Sequence, residues 1–190
     1  HTKIQNTTTA NMNIQVIDNQ NMKLVNLPDS CLESKYYSLK KIVGSGSYGT
    51  TYILQQKSNN KEFIAKFVYM VNRFEFDDFR NEILVQRKAN TVDVGPKVHY
   101  TTLCNIPNSK IKIGIIIMEK LDGDALRYFQ QHKQMLRNPL FITKFIASIL
   151  VDIVKLHSIR IAHLDISPRN IFYKINLNFH LQYNKNLQLY

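Results

Sequence analysis

The chain has 190 residues, of which 44% are hydrophobic and 21% charged, an ordinary composition for a globular protein. Its net charge of +11 favours an anionic partner, but the Lys and Arg residues are scattered, so we expect no specific nucleic-acid binding. No apolar run approaches the roughly 20 residues of a membrane span, and the polar first residues lack the apolar core of a secretory signal. We therefore expect an intracellular, cytoplasmic protein without membrane association.

Residues 1–35 are rich in Asn, Thr and Gln, which predicts a mobile polar arm with one short strand at MNIQVID. Cys31 and Cys104 form no CxxC site and no disulfide framework, so we expect two reduced thiols. From Tyr36 the pattern predicts five strands, with one helix, FEFDDFRNEILVQRKAN, after the third. The strands are YYSLKKIVGSG, GTTYILQQ, KEFIAKFVYM, GPKVHYTTLC and KIKIGIIIMEK.

After LDGD the predicted strands are followed by predicted helices. A short helix is predicted at 125–133 and a longer one at 139–157, whose broad apolar stripe predicts burial. The stripe comprises Ile142, Phe145, Ile146, Ile149, Ile153, Val154 and Leu156. RIAHLDISPRNIFY then predicts a strand, a loop and a strand, and FHLQYNKNLQLY predicts a further hairpin strand.

GSGSYG, from Gly44 to Gly49, has the form G-x-G-x-x-G. In a dinucleotide-binding fold these glycines would follow a strand and open a helix. Here they lie between two predicted strands, which favours a glycine hairpin whose backbone can approach phosphate oxygens closely. An ordinary flexible hairpin is the alternative interpretation.

Lys66 lies among apolar residues on the third strand, so its ammonium is either held in a cleft or extends along the surface into water. An ammonium in a cleft needs a counter-charge. Glu82 on the following helix can supply it, and Glu75, near the helix start, is the competing partner.

HLDISPRN, from His163 to Asn170, brings an acid and an amide together on a loop after the long helix. Asp165 can accept a proton from a substrate hydroxyl, and the amide oxygen of Asn170 can bind a divalent ion. His163 is expected to brace the loop rather than to react. An Asp and an Asn at this spacing are common by chance, so the order of all the motifs carries the argument.

In that order the chain resembles the protein kinase superfamily, Ser/Thr type, from about Tyr36 to Tyr190. IVGSGSYGTTY resembles the glycine-rich loop, FIAK the ATP-anchoring strand and LHSIRIAHLDISPRNIFY the catalytic-loop region. The resemblance implies an α+β fold: a five-stranded antiparallel sheet lobe with one helix (36–121) and an incomplete helical lobe (122–190). It also implies ATP and Mg²⁺ as cofactors and a protein as substrate.

The resemblance also implies roles for individual residues. Asp165 would be the catalytic base, Asn170 would hold a magnesium ion, and Lys66 would contact the α and β phosphates and pair with Glu82. Met118 would lie behind the adenine, Glu119 and Leu121 would offer it backbone groups, and Asp122 or Asp124 would reach the ribose. The remaining predicted nucleotide-binding residues are Ile42, Val43, Gly44, Ser45, Gly46, Ser47, Tyr48, Gly49 and Thr50.

Some positions depart from the family pattern. Ile64 replaces a small Ala, Thr51 a Val, Leu164 the Arg of HRD, and Ser167 the catalytic-loop Lys. The loss of that Arg makes control by activation-loop phosphorylation less expected, and Ser167 weakens the choice of a protein over a small-molecule substrate.

No DFG motif occurs in the chain, and its Asp is the residue that holds magnesium against the phosphates. We therefore expect a truncated kinase or a natural short form. Large DNA viruses are among the sources expected for such a kinase, and a viral kinase would act in the host cytoplasm. Nucleotide binding with poor phosphate transfer is the expected behaviour. The alternatives are a pseudokinase that acts as a scaffold and a small-molecule kinase.

Overall fold

The computed structural model describes residues 12–18, 21–46, 49–174, 178–181 and 187–189. Its helices are α1 (Arg73–Asn90), α2 (Ala125–Gln131) and α3 (Pro139–Ser158), with short 3-10 helices at Lys133–Arg137 and Pro168–Asn170. Its strands are β1 (Met12–Asp18), β2 (Asn21–Leu27), β3 (Tyr37–Gly46), β4 (Gly49–Gln56), β5 (Glu62–Met70), β6 (Val98–Asn105), β7 (Lys112–Glu119), β8 (Gly123–Asp124), β9 (Ile161–His163), β10 (Ile171–Lys174), β11 (Asn178–Leu181) and β12 (Leu187–Leu189).

The chain divides into two compact units. The first holds the described residues up to Arg73 together with Tyr100–Ile117. The second holds Phe74–His99 together with the described residues from Met118 onward. The division into an arm (1–35) and two lobes (36–121 and 122–190) stays a prediction.

A five-stranded sheet, in the order β3-β4-β5-β7-β6, forms the centre of the first unit. Strand β5 shows why these residues make a sheet: Phe63, Ala65 and Phe67 are buried on one face, while Ile64 and Lys66 alternate with them on the other. This period of two is that of a strand with one face on a core. The five predicted strands and the helix after the third are confirmed.

Strands β1 and β2 form an antiparallel hairpin that packs on the core side of the same unit. Ile14 and Leu27 are fully buried there, and the backbone N–H of Gln15 donates a 2.7 Å hydrogen bond to the Tyr52 hydroxyl. The predicted strand MNIQVID is confirmed as β1. Strand β2 has apolar residues on both faces: Val25 and Leu27 are buried, while Met22 and Leu24 are exposed. Its sequence therefore lacks the alternation that would predict a strand.

Cys31 and Cys104 form a disulfide with Cα atoms 5.5 Å apart, inside the usual range for such a bond. The expectation of two reduced thiols is therefore wrong. Both residues are buried in the core of the first unit. Their sequence separation of 73 explains the error, because sequence spacing carries no signal for a contact made by folding.

The second unit has its own apolar core, built around Leu156 of α3, Ile161 of β9 and Ile171 of β10. Helices α1 and α2 contribute to the same core. The start of α2 is capped by Asp124, whose Oδ1 accepts a 2.8 Å hydrogen bond from the Arg127 backbone. Asn138 caps α3 in the same way, because such side chains satisfy N–H groups that lack partners in the first helical turn.

Helix α3 is less covered than its apolar stripe predicts. Among its described residues only Asp152 and Leu156 are fully buried. Ile146 and Val154, which were expected to be buried, are 49% and 67% exposed, so that part of the prediction is wrong. Periodicity identifies the apolar positions of a helix, but it cannot say how many of them another element covers.

The predicted α+β fold, with a five-stranded antiparallel sheet and few helices, is confirmed. The predicted final hairpin strand corresponds to β11, which pairs with β10, and β12, which pairs with β9. None of the helices in the described part of the chain combines the length and apolar character that a membrane crossing requires.

Candidate active site

The glycine motif lies at the β3–β4 turn of the first unit. Ser45 pairs with Thr50, and Gly46 pairs with Gly49, while Ser47 and Tyr48 lie outside the described residues. Gly49 has φ +115°, and a Cβ there would overlap the carbonyl oxygen of Phe67. The turn therefore requires glycine at this position.

Lys66 lies on the same sheet face as one residue of this hairpin. Gly44 pairs with Thr51, and Thr51 pairs with Lys66, so the three form one row across β3, β4 and β5. Directly opposed residues on neighbouring strands point to the same face. This is the face opposite the core residues Phe63 and Phe67. The Lys66 side chain therefore lies on the same sheet face as Thr51, in the row that ends at Gly44 of the glycine motif.

Glu82, the predicted partner of Lys66, lies half-buried on α1 in the second unit. Lys66 belongs to the first unit, and the pairing of the two stays a prediction. One turn after Glu82, the buried Gln86 places its Nε2 3.6 Å from the Met118 sulfur and 3.5 Å from the Pro96 carbonyl oxygen. Helix α1 therefore contacts the residue predicted to lie behind the adenine.

Residues 119–122, which run from the last residue of β7 to the start of β8, are held at both ends by hydrogen bonds. The Glu119 backbone N–H donates a 2.8 Å hydrogen bond to the Lys97 carbonyl oxygen, and the Glu119 carboxylate accepts a hydrogen bond from Lys174. The Asp122 backbone N–H donates to the Tyr173 carbonyl oxygen over 3.0 Å. We call residues 119–122 the hinge segment.

The pKa of Glu119 is set by opposing effects. Partial burial alone would raise this pKa, because burial disfavours the charged carboxylate. The hydrogen bond from Lys174 and the bond from the Lys97 backbone N–H outweigh burial, together with the charges of both lysines, and hold the pKa below its ordinary value. The same contact raises the pKa of Lys174. Glu119 is therefore a charged group between two cations near neutral pH.

The loop from His163 to Asn170 brings its acid and its amide into contact. The Asn170 Nδ2 donates hydrogen bonds of 2.9 Å to both the carbonyl oxygen and the Oδ2 of Asp165. The Asp165 backbone N–H donates to the His163 Nδ1 over 3.3 Å, so the His163 ring braces the loop backbone. His163 is buried and contacts the loop backbone. Since the amide nitrogen makes both Asn170 bonds, its amide oxygen can serve another ligand.

The protein kinase domain family matches residues 37–182, more than half of the chain. The chain belongs to the protein kinase family. This confirms the predicted superfamily and, with the observed sheet, the kinase-like fold class.

The proteins to which the chain is similar include two named kinases. The chain is 25% identical over 147 residues to "Calcium-dependent protein kinase 6" of Plasmodium berghei (strain Anka), covering 73% of this chain and 9% of that protein. It is 26% identical over 140 residues to "Probable serine/threonine-protein kinase nek1" of Dictyostelium discoideum, covering 71% of this chain and 27% of that protein. The chain thus spans less than a third of the length of either relative.

Two departures from the kinase pattern are visible in the loop. Leu164, in place of Arg, is 57% exposed. Ser167, in place of Lys, is half-buried and lies just before the 3-10 helix. Its carbonyl oxygen accepts a 2.9 Å hydrogen bond from the Asn170 backbone, so the Ser167 backbone shapes the loop irrespective of the side chain.

Sequence reasoning did not single out Lys174, which contacts the hinge segment. It lies on β10, four residues after Asn170, and contacts Glu119. Because Glu119 and Lys174 are 55 positions apart in the sequence, neither helical periodicity nor turn spacing predicts their contact. The resemblance to kinases gives no cue either, because it assigns to Glu119 only a backbone role.

Proposed function

We propose that this kinase binds ATP with Mg²⁺ and transfers the γ-phosphoryl group to Ser or Thr hydroxyls of proteins. The observation that carries the proposal is the double hydrogen bond from Asn170 to Asp165. It holds the carboxylate of the proposed base in place and leaves an amide oxygen for a metal ion. The names of the two relatives support the choice of a Ser/Thr kinase.

In this proposal Asp165 acts on the nucleophile. Its carboxylate accepts the proton of the substrate hydroxyl as the oxygen attacks the γ-phosphorus, and the bond to the β-phosphate oxygen breaks to release ADP. The Asn170 bond to Oδ2 orients the carboxylate. The Asn170 bond to the Asp165 carbonyl oxygen and the bond to His163 orient the loop backbone. An Asp held in this way needs little rearrangement when substrate arrives.

The nucleotide would be held by the groups that the kinase family assigns to it. The glycine hairpin residues Ile42 to Thr50 would cover the phosphates, and Lys66 would contact the α and β phosphates with Glu82 as its counter-charge. At the hinge segment, the Glu119 N–H already donates to Lys97, so Glu119 would offer adenine its carbonyl oxygen and Leu121 its backbone groups.

Asp122 or Asp124 would reach the ribose. The carboxylate of Asp124 caps α2 through the Arg127 backbone N–H, and its other oxygen lies 3.4 Å from the Arg127 Nε. A ribose hydroxyl at Asp124 would compete with both contacts.

The oxygen donors of the catalytic loop fit a magnesium ion, which prefers oxygen ligands and usually shares them with phosphates. Asn170 would hold it through the amide oxygen, and Asp165 lies beside that position. When bound, the ion neutralises charge that develops on the phosphates. Among the described residues no group of three or more His, Cys, Asp or Glu side chains could bind a metal, so phosphate oxygens would supply most of the remaining ligands.

Transfer of labelled γ-phosphate to a generic protein substrate tests this function. We expect labelling of Ser and Thr that depends on Mg²⁺ and falls by about 10²–10⁴ in Asp165→Asn. Asp93→Asn, an exposed change outside the proposed machinery, is the matched control. Equal labelling by the wild type and Asp165→Asn would contradict the proposed role of Asp165.

A pseudokinase is the second candidate, favoured by the departures of the catalytic loop from the kinase pattern at Leu164 and Ser167. Saturable binding of Mg–ATP without labelling of any protein would support the pseudokinase. Labelling of sugars or other small alcohols in a substrate panel would instead support a small-molecule kinase, which Ser167 permits.

A further inference from the structure

Glu119 lies where three parts of the second unit meet. Its backbone continues from β7 into the hinge segment, its N–H donates to the Lys97 carbonyl oxygen over 2.8 Å, and its carboxylate contacts Lys174 on β10. The second carboxylate oxygen lies 3.5 Å from the Lys97 backbone nitrogen. A single side chain thus joins the hinge segment, the approach to β6 and the strand after the catalytic loop.

The hinge segment is attached to β10 at further points. The Asp122 N–H donates to the Tyr173 carbonyl oxygen over 3.0 Å, and Gly123 pairs with Tyr173. A Cβ on Gly123 would lie 3.1 Å from the Tyr173 ring, so the two strands approach closely here. Between the Glu119 and Asp122 attachments lies Leu121, whose backbone is proposed to contact adenine.

Strand β10 begins immediately after the catalytic loop. Asn170, the residue before β10, holds Asp165 by its two 2.9 Å hydrogen bonds. Lys174 is the last residue of the same four-residue strand. The ion pair between Lys174 and Glu119 therefore attaches the hinge segment to the strand that leaves the catalytic loop.

We propose that the Glu119–Lys174 ion pair is a positioning device for the nucleotide. It holds the hinge segment in the conformation that accepts adenine and at a fixed distance from Asp165 and Asn170. The inference rests on the proposed function, because it assumes that the hinge segment binds ATP. Neither residue reacts: each acts by restricting the backbone that contacts the nucleotide.

The expected consequence is a loss of affinity rather than of chemistry. Without the ion pair the hinge segment samples other conformations, and only the fraction in the competent one binds nucleotide. We expect Kd for Mg–ATP to rise about three- to tenfold in Glu119→Gln and in Lys174→Gln, with any kcat changed less than KM. The Lys174 side chain is 60% exposed, so its replacement leaves no cavity in the core.

The decisive experiment measures Mg–ATP affinity by calorimetry for the wild type, both single variants, Lys174→Arg and the exchanged pair Glu119→Lys/Lys174→Glu. Lys174→Arg is expected to bind Mg–ATP like the wild type. The exchanged pair should recover only part of the lost affinity, because the new Lys at position 119 would lie near the cation of Lys97. The loss should shrink at high ionic strength, because salt screens a partly exposed pair. Asp93→Asn, which removes the exposed ion pair of Lys97 with Asp93, is the matched control.

The outcomes separate this inference from the proposed function. Wild-type affinity in both single variants, with nucleotide bound by all of them, overturns the inference and leaves the proposed function standing. A lower melting temperature with unchanged affinity also overturns it, because it assigns the pair a purely structural role. No nucleotide binding by the folded wild type overturns the proposed function, and the inference with it.

Discussion

Gly49 lies in the glycine hairpin, and any side chain at this position would collide with the backbone of Phe67 on β5. A methyl group there would overlap the Phe67 carbonyl oxygen and lie 3.1 Å from its carbon, and φ is +115°. We expect Gly49→Ala to lower the free energy of unfolding by about 2–4 kcal/mol, measured by chemical denaturation. Gly46→Ala is the control, because a Cβ there meets no atom within 4 Å. Equal losses in both variants would contradict this account.

Thr50 carries a buried hydroxyl oxygen with no hydrogen-bond partner in the described structure, and the residue is 1% exposed. Such a group loses its bonds to water on folding without replacing them. We expect Thr50→Val, which keeps the shape, to raise the free energy of unfolding by about 1 kcal/mol. Thr51→Val, on the half-exposed face, should change it little. Destabilisation by Thr50→Val would show that the hydroxyl has a partner.

At the scale of elements, the end of β7 depends on the charge of Glu119. Its pKa is lowered in the folded protein, so its charge stabilises the fold. This contribution is present above the unfolded-state pKa of about 4.3 and is lost as the pH falls through the lower folded-state value. We expect Glu119→Gln to be less stable than the wild type at pH 6, and the difference to shrink as the pH falls below the unfolded-state pKa.

Urea denaturation of both proteins between pH 3 and pH 7 measures that difference. Glu33→Gln, which removes an exposed ion pair with Lys35, is the control and should show little effect at any pH. A stability difference between wild type and Glu119→Gln that is independent of pH would contradict the role of the charge.

The elements themselves were largely predictable, because their signals are local. The alternation of Phe63, Ala65 and Phe67 with more exposed residues identifies β5. The contacts between elements were not predictable. The Glu119–Lys174 pair and the exposure of Val154 depend on which elements come together, and a single sequence carries no periodic signal for that.

At the scale of the whole molecule, the Cys31–Cys104 disulfide closes a large loop. It joins the segment after β2 to β6 across 73 residues, which restricts the unfolded chain far more than the folded one. A loop of that length gives a stabilisation of about 4–4.5 kcal/mol in the chain-entropy model. We expect reduction by a phosphine to lower the free energy of unfolding by about that amount.

The matched control is the double variant Cys31→Ser/Cys104→Ser, whose stability should not respond to the reductant. Thiol titration of the unfolded, unreduced wild type should find no reactive Cys. Two titratable thiols per chain would contradict the disulfide and restore the reduced state expected from sequence.

The β1–β2 hairpin has a consequence for any attempt to shorten this protein. The family match begins at residue 37, yet Ile14, Leu27 and Cys31 belong to the core that lies against the sheet. A fragment cut at the family boundary would expose an apolar sheet face to water, and such faces promote association. The homology boundary and the physical boundary of the folding unit thus differ, and the second is the one that a soluble fragment must respect.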